Sequence, residues 1–258
     1  MPANRIIFNE KYHDNCHDYL KTIYIEKYAP KKYKKFLYEI KKKIPIVPIC
    51  NNTGVDTYAN IVVCDQHAVI FGHRSDINPV LATYALNACV GLLMYVPAHG
   101  IGALAHIDGL PGYSKASAID DGLDIEYDPV MENIKIILFN LSSMVPNAKL
   151  MIDFYLIGGI FSLSEVMIND ILVAIDKFHT TSNKYRFNFR GRNLLGPENQ
   201  SRNVCIDMRT GEITHFDYIT NSEFYDSRNS DGTPINIIRA PRRSEAFLDI
   251  TYRPIIVK

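Results

Sequence analysis

The sequence predicts an α+β protein built as a layered sandwich of mainly antiparallel strands with flanking helices, and three observations lead to this prediction. Short segments rich in β-branched and apolar residues follow one another between residues 55 and 108. A helix, a strand and a second helix then succeed each other, and the chain returns to strands after residue 200. Runs of strands separated from helices favour a layered α+β fold over alternating βαβ units.

The chain divides into a helical extension rich in Lys and Tyr, residues 1–48, and a single larger domain, residues 49–258. In KKYKKFLYEIKKK, Phe36, Leu37 and Ile40 have helical spacing among lysines, which is typical of a charged helix with one apolar stripe. This basic segment is interpreted as a solvated helix face or as a docking surface for an acidic partner.

Four segments predict the first strands of the larger domain, because they are apolar and bounded by Gly, Pro, Asp and Asn. In chain order they read YANIVVCD, AVIFG, ALNACVGLLMYV and GIGALAHID. The last two are joined by VPAHG, so we expect them to be adjacent antiparallel strands.

The second half of the domain is predicted to alternate helix and strand before a final hairpin. PVMENIKIILFNLSS predicts a helix that begins at Pro129. KLMIDFYLIGG predicts a strand ending in two glycines, and SLSEVMINDILVAIDKF a helix in which Ser162 and Glu165 have capping-box spacing. NVCIDMRTGEITHFDY predicts a hairpin with its turn at Thr210-Gly211, and EAFLDITYRPIIV a closing strand.

The composition argues against nucleic-acid binding and membrane association. Lys and Arg number 28 and so do Asp and Glu, which leaves no overall field to recruit nucleic acid or an anionic membrane. No apolar run reaches the roughly 18 residues of a spanning helix, and the start lacks a signal-peptide core. The five cysteines form no CxxC pair, which is typical of free thiols in a reducing compartment. We therefore expect a cytoplasmic monomer without nucleic-acid or membrane partners.

Cys89 and His106 are the residues that point to chemistry. A lone cysteine in an apolar strand is usually a small hydrophobic core residue, which is what Cys89 by itself indicates. The hairpin brings Cys89 near His106, however, and a thiol needs a base within hydrogen-bond reach to become a thiolate. Thr83, six residues before Cys89 at the entry to the same predicted strand, has a hydroxyl able to accept from the second imidazole nitrogen and fix the tautomer.

Other polar positions are given structural roles. His99 is assigned to the turn at the far end of the hairpin, and the remaining histidines have no metal-ligand spacing, so no metal site is expected. The glycines of HGIGAL lead into a strand and lack the spacing of a dinucleotide-binding loop. The acidic segment AIDDGLDIEYD is expected to form a loop over the site.

Together these residues resemble the active-site hairpin of the chemotaxis-receptor glutamine deamidases, in which a cysteine, a histidine 17 positions later and a hydroxyl residue six positions earlier act together. The chain is more similar to the protein N-terminal asparagine amidohydrolases over roughly residues 53–220. That similarity includes Asp108-Gly109 after the histidine, the strand ending in Gly158-Gly159, and CIDMRTGEI. Ala88 stands where that family has threonine.

The resemblance implies a deamidase-like core and a cysteine amidohydrolase that converts N-terminal Asn of proteins or peptides to Asp and releases ammonia, without a cofactor. Cys89 is then the nucleophile and His106 the acid and base, and the oxyanion is held by backbone N–H groups with help from Asn87. Asp108 is the candidate partner of the substrate α-ammonium, or else it caps the Asp-Gly turn. Pro2, from the Met-Pro start shared with that family, is a further candidate for substrate binding.

Two other functions are kept as alternatives. An internal protein-glutamine deamidase, of the chemotaxis or toxin-effector type, uses the same core but needs an open groove for a chain segment. A non-catalytic protein-binding module keeps the fold, uses the lysine-rich extension as its interaction surface and has an ordinary thiol at Cys89.

Overall fold

Two β-sheets and two helices make up the part of the chain that the computed structural model describes, which is residues 42–47, 60–107, 129–160, 164–196, 201–215, 237–238 and 248–254. One sheet has five strands, in chain order β1 (Ile61–Cys64), β3 (Val80–Thr83), β8 (Val204–Asp207), β9 (Ile213–His215) and β10 (Ile237–Ile238). The other has six, β2 (Ala68–His73), β4 (Val90–Val96), β5 (Ile101–Ile107), β6 (Leu150–Ile160), β7 (Tyr185–Gly196) and β11 (Asp249–Tyr252). The helices are α1 (Pro129–Met144) and α2 (Glu165–Thr181).

Both sheets are mixed. The five-stranded sheet has the order β10-β1-β3-β8-β9 and the six-stranded sheet the order β11-β2-β5-β4-β6-β7. Antiparallel pairs join β2 to β5, β5 to β4, β4 to β6, β3 to β8 and β8 to β9, while β1–β10, β1–β3, β2–β11 and β6–β7 are parallel. The predicted α+β class with mainly antiparallel strands is therefore confirmed.

Three layers follow from how the apolar residues alternate along the strands. On the six-stranded sheet, Leu92, Met94 and Phe154 face the helices and pack with residues such as Ile134 and Ile171. Residues on its opposite face meet the five-stranded sheet in a second core. The members of that second core include Ile70, Leu93, Leu104 and Ile157 from one sheet and Val62, Leu81, Val204 and Ile206 from the other.

Both predicted helices are present. In α1 the residues expected on one face are buried, and Ile134 and Ile137 are fully so. The capping prediction for α2 was wrong, because the N-cap residue is Ser164 and its side chain makes no capping bond. Its hydroxyl is instead used in a tertiary contact, so the Ser-x-x-Glu spacing that begins at Ser162, itself outside the described ranges, does not define the start of this helix.

The strand predictions need two corrections. Residues 85–89 are not part of a strand, since β4 begins at Val90, and Ala85 has a positive φ of 56°. Thr83 therefore does not enter the strand of Cys89: it ends β3, which belongs to the other sheet. The hairpin of β8 and β9 is present, with Gly211 of the predicted turn at φ 76°.

The end of the predicted N-terminal extension contacts the larger domain. Ile44 is buried in the core beneath the helices, and Ile46 forms a parallel bridge to Arg192 of β7. Residues 1–41, with the predicted stripe at Phe36, Leu37 and Ile40, lie outside the described part. Within the described ranges, neither helix has the length and apolar character needed to cross a membrane.

Candidate functional site

The candidate site lies between the two sheets, at the end where β1 and β3 finish and β4 begins. Thr83 is the last residue of β3, Cys89 directly precedes β4, and His106 is the second-last residue of β5. One sheet thus supplies Thr83 and the other supplies Cys89 and His106. The sandwich brings together residues that the sequence separates by up to 23 positions.

The register of the hairpin makes Cys89 and His106 neighbours. Gly91 pairs directly with His106, and directly paired residues present their side chains on the same face of a sheet. Cys89, two positions before Gly91, is therefore diagonal to His106. A Cβ on Gly91 would lie 2.8 Å from Leu86, a residue of the core between the sheets, so this face is the inner one.

The hydrogen bonds of the Thr83 hydroxyl fix the tautomer of the neutral His106 imidazole. Its oxygen lies 2.9 Å from the Cys64 carbonyl oxygen and 2.8 Å from Nδ1 of His106. A carbonyl only accepts, so the single hydroxyl hydrogen is donated to Cys64 and the Thr83 oxygen accepts from Nδ1–H. Neutral His106 therefore carries its proton on Nδ1, and Nε2 is the unprotonated nitrogen that can act as a base. Thr83 is fully buried and His106 is 3% exposed, so this arrangement is shielded from water.

Cys89 differs from the two other thiols in the described ranges. Cys64 and Cys205 are buried, and burial raises the pKa of each thiol. Cys89 is partly exposed, and Gln66 Nε2 lies 3.9 Å from its sulfur. A nucleophile must be accessible to its substrate, and of these three thiols only Cys89 is partly exposed.

The backbone around Cys89 is held by the junction between β6 and α2. Gly159 N–H donates to the Cys89 carbonyl at 2.8 Å, and the Ser164 hydroxyl donates to the Ala88 carbonyl at 2.7 Å. Gly158 has φ 105°, and a Cβ there would collide with the Cys89 carbonyl oxygen. Glycine is needed at this position both for its backbone conformation and for the close approach of the two chains.

The segment from Ala85 to Cys89 is also fixed from its other side. Leu86 exchanges two backbone hydrogen bonds with Arg202, at 3.0 and 3.2 Å, and Asn203 accepts from the Ala85 N–H. Arg202 is 6% exposed, and its Nε donates to Asn193 of β7 at 2.8 Å. Sequence reasoning missed these supporting residues because they lie more than 100 positions from the segment they hold.

The remaining predicted residues are placed as follows. Asn87 lies in the segment before Cys89, where its N–H donates to the Ala85 carbonyl at 2.8 Å. His99 is in the turn between β4 and β5, as expected. Asp108 and Pro2 lie outside the described residues, as does the acidic segment 118–128. His, Cys, Asp and Glu side chains of the described ranges form no group of three or more able to hold a metal ion.

Fold and site together define a two-sheet α+β protein with a thiol, an imidazole and a hydroxyl at one end of the sandwich. By sequence, the chain belongs to the family of the uncharacterized protein R721 of Acanthamoeba polyphaga mimivirus, to which it is 63% identical over 254 residues. The match spans 98% of this chain and 93% of R721. No protein-family profile matches the sequence.

Among solved structures, the chain has a weak likeness to the crystal structure of the Bacillus licheniformis hypothetical protein YfiH. The TM-score is 0.34 and the sequence identity 10%, over 62% of this chain and 72% of that one. A likeness at this level assigns neither a fold nor an activity.

Proposed function

We propose that the protein is a cysteine amidohydrolase that deamidates the side chain of an N-terminal asparagine in proteins or peptides. The observation that carries the proposal is the hydroxyl–imidazole pair: Thr83 accepts from Nδ1–H of His106, so Nε2 is left as a base beside the partly exposed Cys89. A nucleophile, a base and a group that orients the base are the three parts that thiol-dependent acyl transfer needs.

In the proposed reaction, His106 Nε2 takes the proton of the Cys89 thiol, and the thiolate adds to the carboxamide carbon. The tetrahedral intermediate collapses as His106 returns the proton to the amide nitrogen, so ammonia leaves and a thioester remains. Water then adds to the thioester carbon and gives a proton to Nε2. When the carbon–sulfur bond breaks, that proton restores the Cys89 thiol and the product is a carboxylic acid.

The choice of substrate comes from the resemblance to the N-terminal asparagine amidohydrolases. An α-ammonium that is buried on binding needs a carboxylate partner, because an unpaired charge in a protein interior is costly. Asp108 follows His106 by two positions and is the candidate partner, and Pro2 is a second candidate contact. Asn87, in the segment that carries Cys89, is proposed to help hold the oxyanion.

The proposal predicts ammonia release from peptides that begin with Asn, and none from the same peptides beginning with Gln or N-acetyl-Asn. Ammonia is measured by a coupled assay, and the product is identified by mass spectrometry as the Asp peptide. The Cys89→Ala variant is expected to lose activity by about 1,000-fold or more, because a thioester can no longer form.

Cys205→Ala is the matched control, because the Cys205 thiol lies in β8 on the outer face of the five-stranded sheet. This variant is expected to deamidate Asn peptides as the unaltered protein does. Release from N-acetyl-Asn would contradict the N-terminal specificity. Release from internal Gln alone would contradict it too and would favour the protein-glutamine deamidase alternative. Full activity in Cys89→Ala would exclude the thiol mechanism.

A further inference from the structure

The last residue of β1 and the turn that follows it contact all three residues of the candidate site. The Cys64 carbonyl accepts from the Thr83 hydroxyl, and the His67 N–H donates to the His106 carbonyl at 3.0 Å. Gln66, between them, directs its side-chain amide nitrogen at the Cys89 sulfur, 3.9 Å away. The turn is therefore a structural part of the site.

This turn is fixed in place on several sides. The Asp65 carboxylate accepts a hydrogen bond from the Tyr84 hydroxyl at 2.6 Å, and the Asp65 backbone carbonyl accepts one from the Ala68 N–H at 3.1 Å. His67 is buried and has φ 62°, a left-handed conformation that a residue other than glycine adopts only when its surroundings impose it. Gln66, in contrast, is exposed, and its amide nitrogen lies next to the sulfur of the partly exposed Cys89.

From this geometry we propose that Gln66 is a catalytic residue whose amide donates to the oxyanion formed when Cys89 adds to a carbonyl carbon. The inference rests on the proposed function in one respect, that Cys89 is the nucleophile. In a tetrahedral adduct, one carbon atom separates the oxyanion from the sulfur, so a donor 3.9 Å from the sulfur is within reach of that oxygen. Oxyanion donors act at about 2.7–3.1 Å from the oxygen.

Two reagents that attack the same thiol separate this role from a general effect on Cys89. With p-nitrophenyl acetate, the thiolate adds to the ester carbon, the carbonyl electrons move onto oxygen, and p-nitrophenolate leaves with formation of an acetyl thioester. With iodoacetamide, the thiolate displaces iodide from carbon and no oxyanion forms. The ratio of the acylation rate to the alkylation rate at Cys89 thus reports oxyanion stabilisation alone.

The Gln66→Met variant keeps the length of the side chain and removes the donor. It is expected to slow acylation of Cys89 by about 100-fold while alkylation changes by less than about threefold. Rates are followed by p-nitrophenolate absorbance and by mass spectrometry of the Cys89 peptide, with Cys89→Ala as the background. Because the substituted side chain is exposed, the circular dichroism spectrum of the folded protein is expected to stay the same.

An unchanged ratio in Gln66→Met would overturn the proposal, as would a wild-type Cys89 that p-nitrophenyl acetate does not acylate. Equal losses in both reactions would also overturn it, because Gln66 would then act on the thiol itself. The ester requires no recognition of an N-terminal asparagine, so failure to deamidate Asn peptides leaves this test intact and counts against the proposed function alone.

Discussion

At the scale of single residues, the site depends on which atom holds which proton. The Thr83 hydroxyl donates to the Cys64 carbonyl and accepts from Nδ1–H of His106, so Nε2 is the unprotonated nitrogen of the neutral imidazole. The register of two strands joined by a short turn was enough to relate Cys89 to His106. Thr83 was selected by its spacing from Cys89 although its predicted strand was wrong, since it ends β3 of the other sheet. Gln66 was missed, since nothing in the local pattern of an exposed turn residue shows which distant side chain it faces.

Replacing Thr83 by valine tests the tautomer argument. The Thr83→Val variant keeps the shape but removes the group that bonds Nδ1 and the Cys64 carbonyl, both in a buried setting, so we expect a loss of about 1–3 kcal/mol in the free energy of unfolding. Deamidation is expected to fall by about 100-fold or more, because the imidazole loses its fixed tautomer. Urea denaturation and the ammonia assay measure the two effects.

Thr83→Ser retains the hydroxyl and is expected to keep the Nδ1–H form of His106, which ¹⁵N NMR of the imidazole identifies. An Nδ1–H signal that persists in Thr83→Val, together with full activity, would show that the tautomer is set elsewhere.

At the scale of elements, the local sequence pattern was enough to predict both helices and several of the strands. The helices were predicted because an apolar stripe at helical spacing faces the sheet in each of them. β3 was missed because Thr83, its last residue, was assigned to the entry of the strand that contains Cys89. β7 was also missed, although YRFNFR alternates apolar and polar residues as a strand does.

The junction of β6 and α2 offers a test at this scale. Ser164 is fully buried, and its hydroxyl accepts from the Ile160 N–H at 3.0 Å while it donates to the Ala88 carbonyl. Ser164→Ala leaves both groups without this partner, so we expect a loss of about 1–3 kcal/mol in the free energy of unfolding, measured in urea. Activity is expected to fall as well, because Ala88 directly precedes the proposed nucleophile.

Ser143→Ala is the control, since Ser143 is exposed and its hydroxyl donates to the Asn140 carbonyl of its own helix at 2.7 Å. Loss of this hydroxyl is expected to change the free energy of unfolding by less than about 0.5 kcal/mol. Equal effects of the two variants would show that the Ser164 contact does not fix the segment before Cys89.

At the scale of the whole molecule, the layers were predictable and the strand order was not. Apolar alternation shows that strands have a buried face, but the parallel pairs β1–β3, β6–β7 and β2–β11 join segments that are far apart in the chain or separated by other elements. Those pairings place the β1–β2 turn, the end of β3 and the β6–α2 junction at one end of the sandwich. The strand order thus brings the segments of the site together, and no sequence pattern common to these segments shows that they are neighbours.

The same topology predicts that the thiols differ in reactivity across the intact protein. Cys64 and Cys205 are buried, with thiol pKa values raised by burial, so their thiolate fraction near pH 7 is smaller than that of a free thiol. In the native protein, iodoacetamide is therefore expected to modify Cys89 well before Cys64 and Cys205, which react only after unfolding in guanidinium chloride. Mass spectrometry of the peptides that contain these three residues measures each rate.

His106→Gln extends this experiment to the question of whether the protein is an enzyme or a binding module. With His106 as its base, Cys89 is expected to react quickly near pH 7, whereas an ordinary thiol of pKa about 8.5 reacts slowly there. The variant is expected to slow Cys89 alone, and continued protection of Cys64 and Cys205 shows that the sandwich remains folded. A Cys89 rate that does not depend on His106 in the folded protein would favour the non-catalytic module, because the thiol would then have no base.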